Sequence, residues 1–155
     1  MPHGKDNAAV IKVVKDIFDE RIPFNGVLGI SVDHIGTEDA SFRLPMRDDL
    51  VGNFLRGNLH GGVISATLDV TGGLVAFLGA LRKMEHRSYQ DKLERFSRMG
   101  TIDLRVDYLR PGLGEYFIST GFVLRTGNRV AVTRMELKNE RDVLIAVGTG
   151  TYIVS

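Results

Sequence analysis

Residues 61–81 run for twenty-one positions with a single charged side chain, Asp69. No other segment constrains the chain as strongly. A run so long and so apolar either crosses a bilayer or forms a helix enclosed on all sides by protein. Asp69 near its middle would cost about 2.5 to 3.5 kcal/mol in a membrane. Glycines also interrupt the run, and its flanks read as ordinary globular sequence. We therefore expect a buried helix inside a soluble fold and no membrane contact. A lone carboxylate in such a helix is costly unless the fold uses it, which makes Asp69 the first candidate for chemistry.

Length and composition narrow the remaining choices. The chain has 155 residues, a formal charge of +1 and 25% charged residues, a balanced surface with no basic field of the kind nucleic acid requires. It has no cysteine, which excludes disulfides, thiol catalysis and thiolate metal sites. There is no GxSxG elbow, no phosphate-binding GxxxxGK[ST] loop and no clustered His/acid set, so no cofactor or metal is expected. The start, MPHGKDNAAV, lacks the basic-then-apolar pattern of a secretory signal, and cytoplasmic residence is expected.

Periodicity supplies the elements. Val10, Ile11, Val14, Ile17 and Phe18 predict an amphipathic helix over residues 7–20, ended by Pro23. Residues 27–35 and 40–46 read as two strands around a turn at 36–39, and 47–59 as loop. The buried helix follows. A charged insert, 82–99, then offers Tyr89, Leu93 and Phe96 as one face of a further helix. Ile102, Leu104, Val106 and Tyr108 alternate with polar residues at the strand period of two. Strands over 115–125, 129–138 and 143–154 complete four consecutive antiparallel strands with short connections. This order predicts one α+β domain over residues 1–155, with residues 1–24 as an N-terminal helical extension. Its core is a six-stranded antiparallel sheet curled around the central apolar helix.

Two features of the buried helix suggest a site. Gly62, Ala66, Asp69, Gly73, Ala76 and Ala80 fall at steps of four and three, forming one stripe of small side chains around Asp69. His60-Gly61-Gly62 sits where the helix begins, and the first N–H groups of a helix lack internal partners and carry the positive end of its dipole. Such amides suit a carbonyl oxygen that becomes an oxyanion. Gly61 and Asp69 are eight residues apart, about 12 Å along a helix. One reacting carbon must lie about 3 Å from both the oxyanion donor and the group that delivers the nucleophile. The same helix cannot comfortably supply both, so we expect a two-fold dimer, Gly61 from one copy meeting Asp69 of the other.

LHGGVISATLD, with its His and Asp nine apart, and TIDLRVDYLRPG after the insert resemble the hotdog-fold acyl-CoA thioesterases of the phenylacetyl-CoA thioesterase-like group. The resemblance covers roughly residues 27–154. It implies a hotdog fold and hydrolysis of acyl-CoA to free acid and CoA. It further implies that the Gly61 amide polarises the thioester carbonyl beside His60, and that Asp69 acts as general base or nucleophile. Thr101 stands where the family has a Ser or Thr that holds the water. The family also uses an Asn, usually six residues before the His. Phe54 occupies that position here and Asn53 lies seven before, so Asn53 takes the role only with a one-residue loop insertion, and Asn58 is a substitute. Arg125 and Arg129 flank the turn where similar proteins often contact the nucleotide of CoA, with Arg110, Arg105 and Arg56 as further candidates. A homodimer, assembled further into a homotetramer, and a place in fatty acid metabolism are also expected. The stripe at Gly73, Ala76 and Ala80 leaves room for an extended tail and favours medium or longer acyl chains. The insert covers either the acyl tunnel or the dimer rim. Two alternatives stay open: a hotdog dehydratase of 3-hydroxyacyl thioesters that recruits His60, and an acyl-CoA-binding module without catalysis.

Overall fold

The computed structural model describes residues 3–155, with side chains described from Asn7 onward. Residues 1 and 2 of the expected N-terminal extension lie outside the described residues. Helix α1 (His3–Asp16) passes into one π-helical turn (Ile17–Arg21) and then α2 (Pro23–Leu28). The hairpin β1 (Ser31–Ile35) and β2 (Asp39–Pro45) follows. After a 3-10 turn (Asp48–Leu50) come the short strands β3 (Val51–Asn53) and β4 (Asn58–Leu59), then the long helix α3 (Gly61–Arg82) and α4 (Tyr89–Ser97). Strands β5 (Gly100–Tyr108), β6 (Tyr116–Thr126), β7 (Val130–Asn139) and β8 (Leu144–Ile153) end the chain.

The expected architecture is present. Six strands form one antiparallel sheet in the order β1-β2-β6-β7-β8-β5, and α3 packs on β2, β6, β7 and β8. Leu68, Leu74, Val75 and Phe77 of α3 are fully buried against Phe42, Leu44, Phe117, Met135 and Leu137 of the sheet. Each such side chain contributes about 1.5 to 3 kcal/mol by leaving water. Helix α3 is long and apolar enough to span a bilayer, but 67% of its most apolar stretch is buried inside the fold.

Three local expectations need correction. Residues 27 and 28 close α2 instead of opening a strand. Pro23 occupies the start of that helix, where its missing N–H costs little, and Gly29 ends it in the left-handed conformation at φ 75°. The first helix does not run regularly to Pro23 but widens at Ile17. That turn buries Phe18 and presents Asp19 Oδ1 to the Val32 N–H at 2.6 Å, docking the segment on β1. Residues 47–59 are not simply loop, since β3 and β4 pair there as a small separate hairpin.

The largest difference is topological. Strand β5 is not the neighbour of β6; it lies at the far edge, and among the described residues it pairs only with β8. The chain returns beneath the ends of β8 and β7. On the way Leu109 and Arg110 donate their N–H groups to the Ile145 carbonyl, and Asn139 Nδ2 donates to the Leu113 carbonyl. Strand periodicity records which residues face inward but not which strand pairs with which.

The insert also finds its place. A capping box between Ser88 and Asp91 starts α4. Phe96 then packs edge-on against Phe77 of α3 at 5.2 Å and Phe18 of the π-helical turn at 5.9 Å. Lys92 is buried, its Nζ donating to Asn7 Oδ1 of α1 at 2.6 Å. The insert and the N-terminal segment thus form one layer beside the middle of α3.

Candidate active site

The start of α3 is built by His60. Its backbone is extended (φ −62°, ψ 136°) and its imidazole Nδ1 accepts from the Gly62 N–H at 2.8 Å, capping the helix. A Cβ on Gly62 would lie 2.9 Å from that nitrogen, so the cap requires glycine there. The N–H groups of Val63 and Ile64 both reach the His60 carbonyl. The Gly61 N–H takes no acceptor among the described residues. On its other side, the Tyr108 hydroxyl donates to the Gly61 carbonyl at 3.2 Å. Gly61, Asn58, Ile64, Tyr108 and Arg110 line a cleft of about 340 Å³. A free amide at the positive end of a 22-residue helix is suited to an anionic oxygen.

Asp69 lies in a second cleft, of about 350 Å³, walled by Phe18, Val70, Phe96, Met99, Thr101 and Tyr152. The two clefts share no lining residue. The carboxylate is half-buried and hydrogen-bonded: Thr101 Oγ1 donates to Oδ1 at 3.0 Å, and the Tyr152 hydroxyl donates to the same oxygen at 3.2 Å. Burial first, and then the negative charge of Asp69, hold the Tyr152 phenol well above its ordinary value of 10.0, so it remains a donor.

A bulge in β5 makes this meeting possible. Thr101 pairs with Tyr152 and Asp103 with Thr151, which leaves Ile102 as an extra residue. Without it Thr101 would share the outward face of Asp103 and Arg105; the insertion turns Thr101 inward, onto the face of Leu104 and toward α3.

The structure therefore brings Asp69 and Thr101 together and sets Gly61, His60 and Arg110 in a separate cluster. It leaves the other candidates elsewhere. Asn53 is exposed and its Oδ1 accepts from the Leu55 N–H at 3.1 Å within its own turn. Asn58 lines the Gly61 cleft. Arg125 lines a cleft with Gly79 and Lys83 at the far end of α3, ten or more residues or about 15 Å beyond Asp69, and Arg129 is exposed past the following turn. Arg105 pairs with Asp107 on the outside of β5, and Arg56 is exposed in the turn before β4. The small-residue stripe leaves less room than expected: Ala76 and Ala80 are filled against Ala131, Tyr152 and Val154, and only Gly73 borders the Asp69 cleft. Sequence reasoning missed Tyr152, Tyr108, Phe18 and Phe96 as site residues. Gly150 was the available signal for Tyr152, because a glycine inside a strand marks a close approach.

An antiparallel sheet packed around one long apolar helix is the hotdog fold. The chain belongs to the thioesterase superfamily, whose family model matches residues 56–146. It is 46% identical over 144 residues to the medium/long-chain acyl-CoA thioesterase YigI of Escherichia coli K12, covering 93% of both chains. The Salmonella typhimurium protein of the same name is 45% identical, with 93% of each chain covered. The crystal structure of a Shewanella oneidensis protein related to the thioesterase superfamily superposes with a TM-score of 0.93 at 44% identity, covering 96% of this chain and 97% of that one.

Proposed function

We propose that this chain hydrolyses medium- and long-chain acyl-CoA thioesters to the free acid and CoA. Asp69 carries the proposal: a carboxylate that is the one charge in residues 61–81, held by two hydroxyls in the wall of a cleft lined by Phe18, Val70, Phe96 and Met99. The acyl chain lies against those apolar walls. The substrate class is supported by the YigI relatives, whose names specify it.

The thioester carbonyl oxygen accepts from the Gly61 N–H and is stabilised as it becomes an oxyanion. As general base, Asp69 takes a proton from water whose oxygen adds to the carbonyl carbon. Collapse breaks the C–S bond, and the proton leaves with the CoA thiolate. As nucleophile, Asp69 adds directly, displaces the thiolate and forms a mixed anhydride that water opens. Arg110, in the Gly61 cleft, is the proposed contact for CoA phosphates.

The site is completed by a second copy. Strand β5 is an open edge, with its Ile102 and Tyr108, and Leu109 just past its end, about half exposed. Thr101, beside Asp69, stands near one end of β5 and Tyr108, beside Gly61, at the other. Two-fold antiparallel pairing of β5 with its copy lays the Thr101 end of one strand against the Tyr108 end of the other. That brings Asp69 of one subunit toward Gly61 of the partner subunit.

A thiol-release assay across a chain-length panel of acyl-CoAs tests the proposal. We expect turnover to peak at medium or long chains and Asp69→Asn to lower kcat by about 10²- to 10⁴-fold. Full turnover by Asp69→Asn would remove Asp69 from the mechanism.

A further inference from the structure

Tyr152 occupies a place that the fold has cleared for it. Its ring is 2% exposed and lies between α3 and β8, beside two glycines. A Cβ on Gly150 would stand 2.5 Å from the phenol oxygen and 2.6 Å from Cε2. A Cβ on Gly72 would collide with the same oxygen and with Met135. Any side chain at either position displaces the hydroxyl, so both backbones are shaped around it.

That hydroxyl faces Asp69 twice, its single proton shared between the Oδ1 atom at 3.2 Å and the backbone carbonyl at 3.1 Å. A buried phenol must find an acceptor, and here the acceptors are both on Asp69. The two oxygens of the carboxylate are consequently unequal. Oδ1 takes both hydroxyl donors, from Thr101 and Tyr152, while Oδ2 takes none among the described residues and is not sealed from the cleft.

We infer that Tyr152 is a positioning residue for hydrolysis: with Thr101 it fixes Oδ1, so that Oδ2 is the oxygen that takes the proton from water or attacks the carbonyl carbon. This rests on the catalytic role proposed for Asp69 and adds which oxygen acts and what aims it. Two donors on one oxygen stop rotation of the carboxylate about its Cβ–Cγ bond, which preserves the short approach that proton transfer or attack demands. Tyr152 touches no reacting atom; it acts through Asp69.

Tyr152→Phe tests the inference, because it keeps the ring between the two glycines and deletes only the oxygen. Steady-state thiol release should show kcat lowered roughly ten- to hundredfold with KM for acyl-CoA within about twofold of the parent protein. Incorporating 3-fluorotyrosine at position 152, which restores the hydroxyl, should return kcat to within about threefold of the parent. Melting temperature is measured alongside. An unchanged kcat in Tyr152→Phe while Asp69→Asn is inactive would overturn the inference and leave the role of Asp69 standing. Equal losses in kcat and in folded fraction, without recovery by fluorotyrosine, would overturn it as well. Full turnover by Asp69→Asn would instead remove the site reading on which it rests.

Discussion

Thr101 and Tyr152 are direct partners across β5 and β8, and their hydroxyls meet on one oxygen of Asp69. Two strands and one helix thus converge on a single carboxylate. The bulge at Ile102 makes the pairing productive, because it turns Thr101 to the side on which Tyr152 already lies.

Thr101→Val should lower kcat by roughly tenfold with little change in KM, since it removes a donor from a charged acceptor while keeping the shape. Thr101→Ser should recover most of the loss. Thiol-release kinetics on the three proteins check this, and equal rates for Val and Thr at position 101 would show that the hydroxyl is idle.

Gly150→Ala should damage the site without touching substrate. Its Cβ would fall 2.5 Å from the Tyr152 oxygen, and the ring must shift away from Asp69. We expect a loss of about 1 to 3 kcal/mol in stability, typical of overpacking, together with a fall in kcat. Denaturant unfolding and turnover are measured on the same preparation; a variant with parental activity would mean that the hydroxyl position is unimportant.

Stability should decline on the alkaline side. The Tyr152 phenol is raised in the folded protein, so the folded state keeps this proton after the unfolded chain has begun to lose it near pH 10.0. Its contribution is fully present below pH 10 and is lost as pH rises further. The stability difference between the parent protein and Tyr152→Phe should therefore be constant from pH 7 to 9 and shrink above pH 10. Chemical denaturation at several pH values tests the sign.

Phe96→Ala should alter the chain-length optimum. Phe96 walls the Asp69 cleft from the insert and contacts both Phe18 and Phe77. Truncation enlarges the cleft and should favour longer acyl groups. It should cost roughly 2 to 3 kcal/mol, below the range for a fully buried phenylalanine, as Phe96 is half-buried. A chain-length profile identical to the parent would place the acyl chain elsewhere.

Complementation tests the shared site. Gly61→Pro deletes the amide and fits the backbone, because His60 already has the extended conformation that precedes proline and Gly61 is the first helical residue. Gly61→Pro and Asp69→Asn should each be nearly inactive. In a mixed dimer one of the two sites regains both groups. Random pairing makes half the dimers mixed, so co-refolded subunits should recover about a quarter of parental activity. No recovery would mean that each subunit works alone.

Much of this molecule is written along the chain. The uncharged run at 61–81 enforces a buried helix, and Asp69 stands out because a carboxylate there is expensive. Alternation along 101–108 announces a strand, and His60-Gly61-Gly62 marks the helix start. These are short-range properties, set by spacing and by the cost of burying charge. The site candidates that depended on reach fared differently. Asn53 is engaged in its own turn, Arg125 and Arg129 lie toward the other end of α3, and the room expected beside Ala76 and Ala80 is filled by Ala131 and Tyr152.

What tertiary structure alone decided is who meets whom. Strand β5 pairs with β8, which begins 36 residues after β5 ends, and a one-residue bulge sets the face that Thr101 presents. Tyr152 joins Asp69 only through that register, and Phe96 reaches the cleft only because α4 folds back on α3. Local periodicity is blind to such choices, because strand partners and bulges are selected by the packing energy of the whole sheet against one helix.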